Sequence, residues 1–322
     1  MISVDEMSGY FERERTPDGE IFTPTTDAVS GWGAMVRGPA MTSLMARTVE
    51  LAVVAQIGVD RVDVTDNSNS ALDRSGETGG FIPTKTTFDL HSPLPLVPVT
   101  ARATVLRDGR RLKLVDAELI HDGRVYARAR SLWLKRDVVI DVSDNDAWTP
   151  SQRFSTPSAG PWNITDDGRI YWSERLDGEA ETAAEAESRW SDQGFDHQNG
   201  ARKAVWQFPV PTVVGEELTG FEVAANVCDV ANLATGWGPK GLDFINADAT
   251  LSLVRYPTST EVGVTGIDRI AQHGVAIGTA ALYDADGQFA NAQVTQIVQP
   301  GGRIQFPDPA IDPSNKLTRP VG

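Results

Sequence analysis

An α+β fold made of two copies of one unit is predicted for this 322-residue chain by three observations. Landmarks recur at a nearly constant spacing: Phe81 and Phe244, Pro93 and Pro257, Gly109 and Gly274, Gly123 and Gly287 are separated by 163, 164, 165 and 164 residues. Each copy carries an apolar segment long enough for a helix. After it comes a run of strand-like segments divided by turn residues, as in an antiparallel meander.

The elements follow in order. Arg37 to Gly58 (RGPAMTSLMARTVELAVVAQIG) has Pro39 near its start and Gly58 at its end, which suit the first turn and the C-terminal cap of a helix. Its apolar residues surround most of the helix, so it should be buried. Phe81 to Pro93 (FIPTKTTFDLHSP) opens the strands. Val99, Ala101, Ala103 and Val105 then alternate with Thr100, Arg102 and Thr104. Val125, Ala127 and Ala129 alternate with Arg124, Arg128 and Arg130, the period of a sheet with one buried face. The second copy has a shorter helix, Phe221 to Gly236, then the strand FINADATLSLVRYP (Phe244 to Pro257) and turns at Gln272–Gly274 and Asp284–Gly287. A buried helix wrapped by an antiparallel meander is the hotdog arrangement, and two of them make a double hotdog. The expected divisions are an N-terminal hotdog over 1–137, a surface linker with an acidic helix over 138–202, a C-terminal hotdog over 203–300 and an irregular tail over 301–322. The linker helix is expected in GEAETAAEAESRW, Gly178 to Trp190.

Composition narrows the partners. Lys and Arg number 29 against 44 Asp and Glu, a formal charge of −15, which repels nucleic acid and anionic lipid surfaces. The uninterrupted apolar runs are short, and the N-terminus lacks a basic-then-apolar signal pattern. The single cysteine, Cys228, leaves no intramolecular disulfide and no cysteine-built metal site. A cytoplasmic protein without a cofactor is expected, with its sheet edges open to self-association.

In the first half, PLPLVPVTARATVLRDGRRLKLVDAELIHDGRVYARARSLWL is similar to the strand meander of the thioesterase-like double-hotdog superfamily. In the second, VCDVANLATGWG, FINADATLSLVRYP and ALYDADGQFANAQVTQIV resemble the helix, central strand and last strand of its acyl-CoA thioesterase II members. The resemblance implies hydrolysis of an acyl-CoA or acyl-carrier thioester, with fatty acid metabolism as the setting. It also implies a water held by an aspartate, a small hydroxyl residue and a glutamine. The aspartate carries over to Asp229, near the start of the second helix, where such a residue is otherwise an ordinary N-cap. The hydroxyl position falls on Asn246, a departure: its amide can donate a hydrogen bond but cannot relay a proton as a hydroxyl does. Thr250, two pleats along the same strand, is a substitute hydroxyl. The glutamine has two candidates on opposite faces of the last strand, Gln293 and Gln296. An offset of 164 superimposes Gln293 on inward-facing Ala129, and Ala292–Gln293 resembles the family's motif, so Gln293 is preferred and Gln296 is assigned to the solvated face.

Rival chemistries fit less well. Asp229-x-x-Asn232 resembles part of a hydratase motif but lacks its histidine, and His91, His121, His197 and His273 do not supply one. A GxSxG nucleophile elbow and the phosphate-binding glycine patterns are missing. The alternative is a non-catalytic acyl-binding protein on the same fold, which Asn246 favours.

Overall fold

The computed structural model describes residues 8–17, 19–57, 72–73, 77–136, 168–177, 182–299, 301–314 and 316–318. A hairpin of β1 (Phe11–Thr16) and β2 (Gly19–Pro24) precedes helix α1 (Gly38–Ile57). Strands β3 (Phe81–Leu90), β4 (Val99–Asp108), β5 (Leu112–His121) and β6 (Arg124–Lys135) follow. The second half repeats this order with β7 (Arg169–Ser173), β8 (Lys203–Gln207), α3 (Gly220–Gly236), β11 (Phe244–Leu253), β12 (Val262–Gln272), β13 (Val275–Asp284) and β14 (Gly287–Val298). A short helix, α2 (Ala183–Glu187), lies between β7 and β8, and the two-residue strands β9 (Trp237–Gly238) and β10 (Gly241–Leu242) follow α3.

All the long strands form one antiparallel sheet in the order β1-β2-β4-β5-β6-β3-β11-β14-β13-β12-β8-β7. The order reads the same from both ends toward the β3–β11 pair, where the halves join. Helix α1 packs on the inner faces of β4, β5 and β6, α3 packs on β11 to β14, and the helices pack on each other. By length and composition α1 is a candidate membrane span; here it is sheathed by sheet and α3, with Met41, Leu44, Met45, Val49 and Val53 in the core. Its buried Arg47 is held by two hydrogen bonds to Glu216, at 2.8 and 3.1 Å, and one to Glu20.

Strands β3, β4, β5 and β6 begin at 81, 99, 112 and 124, and β11, β12, β13 and β14 at 244, 262, 275 and 287, a constant offset of 163. The glycine landmarks drift to 164 and 165 because the turns differ. Gly109 opens the three-residue β4–β5 turn, whereas Gly274 is the second of only two residues between β12 and β13. Gly274 is left-handed, with φ 81°, whereas Gly109 is needed because a Cβ there would fall 2.8 Å from the Leu112 carbonyl oxygen.

The expected linker is corrected in part, while the described residues of the tail are irregular apart from isolated bridges. Residues 138–167 and 178–181 lie outside the described residues, but 169–173 form β7, paired with β8, so the connector supplies a strand of the second unit. The acidic helix is short, Ala183–Glu187, started by a Thr182–Glu185 capping box. It is tied down by Trp172, whose indole N–H donates to the Ala186 carbonyl at 3.0 Å. In the tail, Ile304 bridges to Leu242, and Phe306 stacks edge-on against Tyr171 in the core.

Candidate active site

Helix α3 starts at an N-cap, Thr219, in a capping box with Glu222. This corrects the placement of Asp229: it lies nine residues beyond Gly220, in mid-helix, where the backbone N–H groups are already used and it cannot cap. Its neighbours on the sheet are polar. Asn246 on β11 donates its amide N–H to Asp229 Oδ1 at 2.8 Å. Burial pushes the Asp229 carboxyl upward, while the Asn246 hydrogen bond and the charge of Arg169 pull it down. The net shift is upward, as for a group that ionises reluctantly in a poor solvent.

The structure does not bring Gln293 to this site. At the observed offset Gln293 corresponds to Arg130, and it is exposed on the outer face opposite Thr250 and Thr279. Gln296 corresponds to buried Trp133; it is 1% exposed and lies directly across the ladder from Asn246. Its Nε2 donates to Asn232 Oδ1 at 2.8 Å, one helical turn after Asp229. Its Oε1 is buried without a hydrogen-bond partner among the described residues. Strand alignment at 163 would have found Gln296; the glycine landmarks hid it.

Thr250 is also excluded from the site, because a β-bulge at Ala247 breaks the alternation. Asn246 pairs with Gln296, and Asp248 with the next residue, Thr295. Asn246 therefore faces in with Ala249 and Leu251, while Thr250 faces out and bonds Thr87 across the β3–β11 junction. The Thr295 N–H at the bulge is taken by the Asp248 carboxylate at 3.1 Å.

One contact had no signal in the sequence. The first residue of α1, Gly38, sits directly against Asp229: a Cβ built there would fall on both carboxylate oxygens, well inside van der Waals contact. Gly38 thus lets the positive end of the α1 dipole approach the carboxylate of α3; in this first turn Pro39 has no N–H, and Ala40 and Met41 donate theirs to the Arg37 carbonyl at 3.1 and 3.3 Å. The assembled site is one carboxylate, two amides aligned on one rung, a supporting Asn232 and a helix N-terminus. It suits holding a water beside a carbonyl whose oxygen gains negative charge. Among the described residues no His, Cys, Asp or Glu cluster forms a metal site.

The architecture is that of a hotdog-like fold, shared with solved structures of low sequence identity. Solved structures with this fold include an acyl-CoA thioesterase II from Mycobacterium marinum, with a TM-score of 0.53 at 12% identity over 89% of this chain and 96% of that one. A protein from Novosphingobium aromaticivorans, provisionally named a thioesterase, superposes with a TM-score of 0.55 at 16% identity over 89% of this chain and 98% of that one. A hot dog fold protein of unknown function from Alicyclobacillus acidocaldarius gives 0.52 at 10% identity over 93% and 98%. No protein-family model matches the chain. No curated protein matches it by sequence either.

Proposed function

We propose that this protein is a double hotdog that hydrolyses an acyl thioester carried by coenzyme A or an acyl carrier, in its second unit. The observation that carries the reading is the alignment of Asn246 and Gln296 on one rung beside Asp229, with the Gln296 Oε1 left as a buried acceptor. A water between the Asp229 carboxylate and the Gln296 oxygen would find two acceptors for its two hydrogens. Ionised Asp229 takes one proton as the water oxygen bonds to the thioester carbonyl carbon. The developing oxyanion is stabilised by the α1 N-terminus at Gly38. The carbon–sulfur bond then breaks, and the proton held by Asp229 passes to the departing thiolate. Thiol release from short, medium and long acyl-CoAs tests this without added metal or nucleotide.

A second reading is favoured by one observation. Asn246 occupies an Asp229 oxygen with a hydrogen bond where the family resemblance implies a hydroxyl, which suits an acyl-binding protein that does not turn over. Tight acyl-CoA binding with no thiol release would select that reading.

A further inference from the structure

At the C-terminal end of α3 a cavity of about 610 Å³ opens on the inner face of the sheet, within the range of small-molecule clefts. Its lining includes four cationic side chains, Arg202, Lys240, Arg269 and Arg303, and two carboxylates, Asp243 and Asp268. The local balance is the reverse of that of the whole chain, in which acids outnumber bases by 44 to 29. One sheet rung links the cavity to the site: Asn246 pairs with Gln296, Gln296 with Ala276, and Ala276 with Ala271, which lines the cavity. Neighbouring strands are about 4.8 Å apart, so Ala271 lies roughly 10 Å from Gln296 along that rung. Gly236 also lines the cavity, and a Cβ there would be 3.2 Å from Gln296 Nε2.

We propose that this cavity receives the phosphate-bearing end of the thioester's carrier, so that the thioester itself reaches Asp229; this rests on the hydrolytic reading above. Not every cation contributes equally. Arg303 is held by Asp243 at 2.8 Å. Arg202 is bonded to Glu174. The Arg269 guanidinium lies 5.1 Å from the Phe244 ring centre, over its face, where its N–H groups can donate to an anion. Lys240 is exposed at the rim. The C-terminal carbonyls of α3 point partial negative charge at the same space, and a phosphate is held only because the cations outweigh them. Coenzyme A and the phosphopantetheine arm of a carrier protein share this chemistry.

The test compares wild type with a Lys240→Gln/Arg269→Gln double variant, neither residue belonging to the hydrolytic site. Kinetics are measured on an acyl-CoA and on the same acyl group attached to N-acetylcysteamine, and free CoA binding is measured by calorimetry. The expected result is at least about a tenfold rise in KM for the acyl-CoA. CoA affinity should fall to match, with kcat and the N-acetylcysteamine reaction unchanged. Inhibition by 3′,5′-ADP identifies coenzyme A as the carrier; inhibition by 4′-phosphopantetheine alone identifies a carrier protein. Equal KM values, equal losses on both substrates, or no inhibition by either fragment would overturn the proposal. If wild type releases no thiol yet its CoA affinity falls in the variant, the cavity assignment stands and the hydrolytic reading falls.

Discussion

In the proposed reaction Asp229 meets two opposed demands: its carboxylate must be ionised to accept a proton, yet burial raises its pKa. Activity should therefore fall as pH drops through that raised pKa, and the acid limb of a pH–rate profile would show it. For stability, a carboxyl with a raised folded pKa favours folding below its unfolded value and loses that contribution as pH rises through the folded value. Wherever it is ionised in the fold, Asp229 is thus a cost. Asp229→Asn should lower turnover by a factor on the order of 10² or more, while its melting temperature at pH 7 equals or exceeds that of wild type. A marked drop in both would indicate a structural residue. Gln296→Ala should cost about 3 kcal/mol in the transition state, whereas Gln293→Ala should change stability by less than roughly 0.5 kcal/mol and leave turnover intact. The two changes are chemically identical, so their difference reports the face of β14. Gly38→Ala tests the helix contact: its methyl would displace the Asp229 carboxylate, lowering kcat in a protein whose thermal unfolding stays near wild type. Of this candidate site, Asp229 and Asn246 were singled out through the family resemblance, and the structure brings the two together. Gln296 was misassigned because turn glycines are not register marks, and Gly38 is brought in only by tertiary packing.

At the level of elements, the connector between the halves is held by a buried histidine. His197, in the turn Gly194–His197, shares its Nδ1 with the Ser173 hydroxyl at 3.1 Å and its Nε2 with Ser191 at 3.0 Å. Burial, together with the nearby charges of Lys203 and Arg189, pushes its pKa down to about 4. A histidine lowered in the folded state supports folding above its unfolded pKa of about 6.5. That support is lost as pH falls through the folded value. Between those pH values the fold should lose roughly 3 kcal/mol from this one group. His197→Gln should flatten the dependence, as melting curves from pH 7 to 4 would record; parallel curves would refute it. The helices and the two-residue turns could be read from apolar content and Asp-Gly or His-Gly pairs. Asp122 and His273 do adopt left-handed φ values of 47° and 52°. The β7 strand could not be read, because RIYWS is short and buried on both faces, Ile170 and Trp172 against Trp190 and Trp206 and Tyr171 against Trp237 and Phe306, so no polar face marks its period.

Across the whole molecule the two halves share a plan but not a site. Arg47 and Asp229 each lie nine residues beyond the glycine that starts their helix, Gly38 and Gly220. At the strand offset of 163, Pro83 stands where Asn246 does and Trp133 where Gln296 does. The first unit thus fills its equivalent place with an arginine, a proline and an indole, and Trp133 packs edge-on against Phe221 at 5.5 Å. Arg47 answers to Glu216 and Glu20 instead of to a water. Arg13 still pairs with Glu216 and Glu20 when Arg47 is removed, but the space of a fully buried side chain is emptied, so Arg47→Ala should cost about 3 kcal/mol in urea unfolding. The kcat of the protein that remains folded should be unchanged. Duplication was legible from the chain, because loops of nearly equal length preserve spacing. Its asymmetry was not, since the substitutions that silence one copy are meaningful only in register.

The N-terminal residues carry a consequence for how the chain is made. Tyr10 N–H donates to the Pro211 carbonyl at 2.9 Å, Phe11 N–H to Thr212 at 3.1 Å, and Val214 N–H to Phe11 at 2.9 Å. A ribosome adding 5–20 residues per second needs roughly 10–40 s to travel from the first of these partners to the second. For that interval the leading segment has its partners in β2 and Thr25 but not those at residues 211 to 214. The first unit must wait, partly closed, for a strap whose anchor has yet to emerge, and birth order makes the second half the template on which the first is completed.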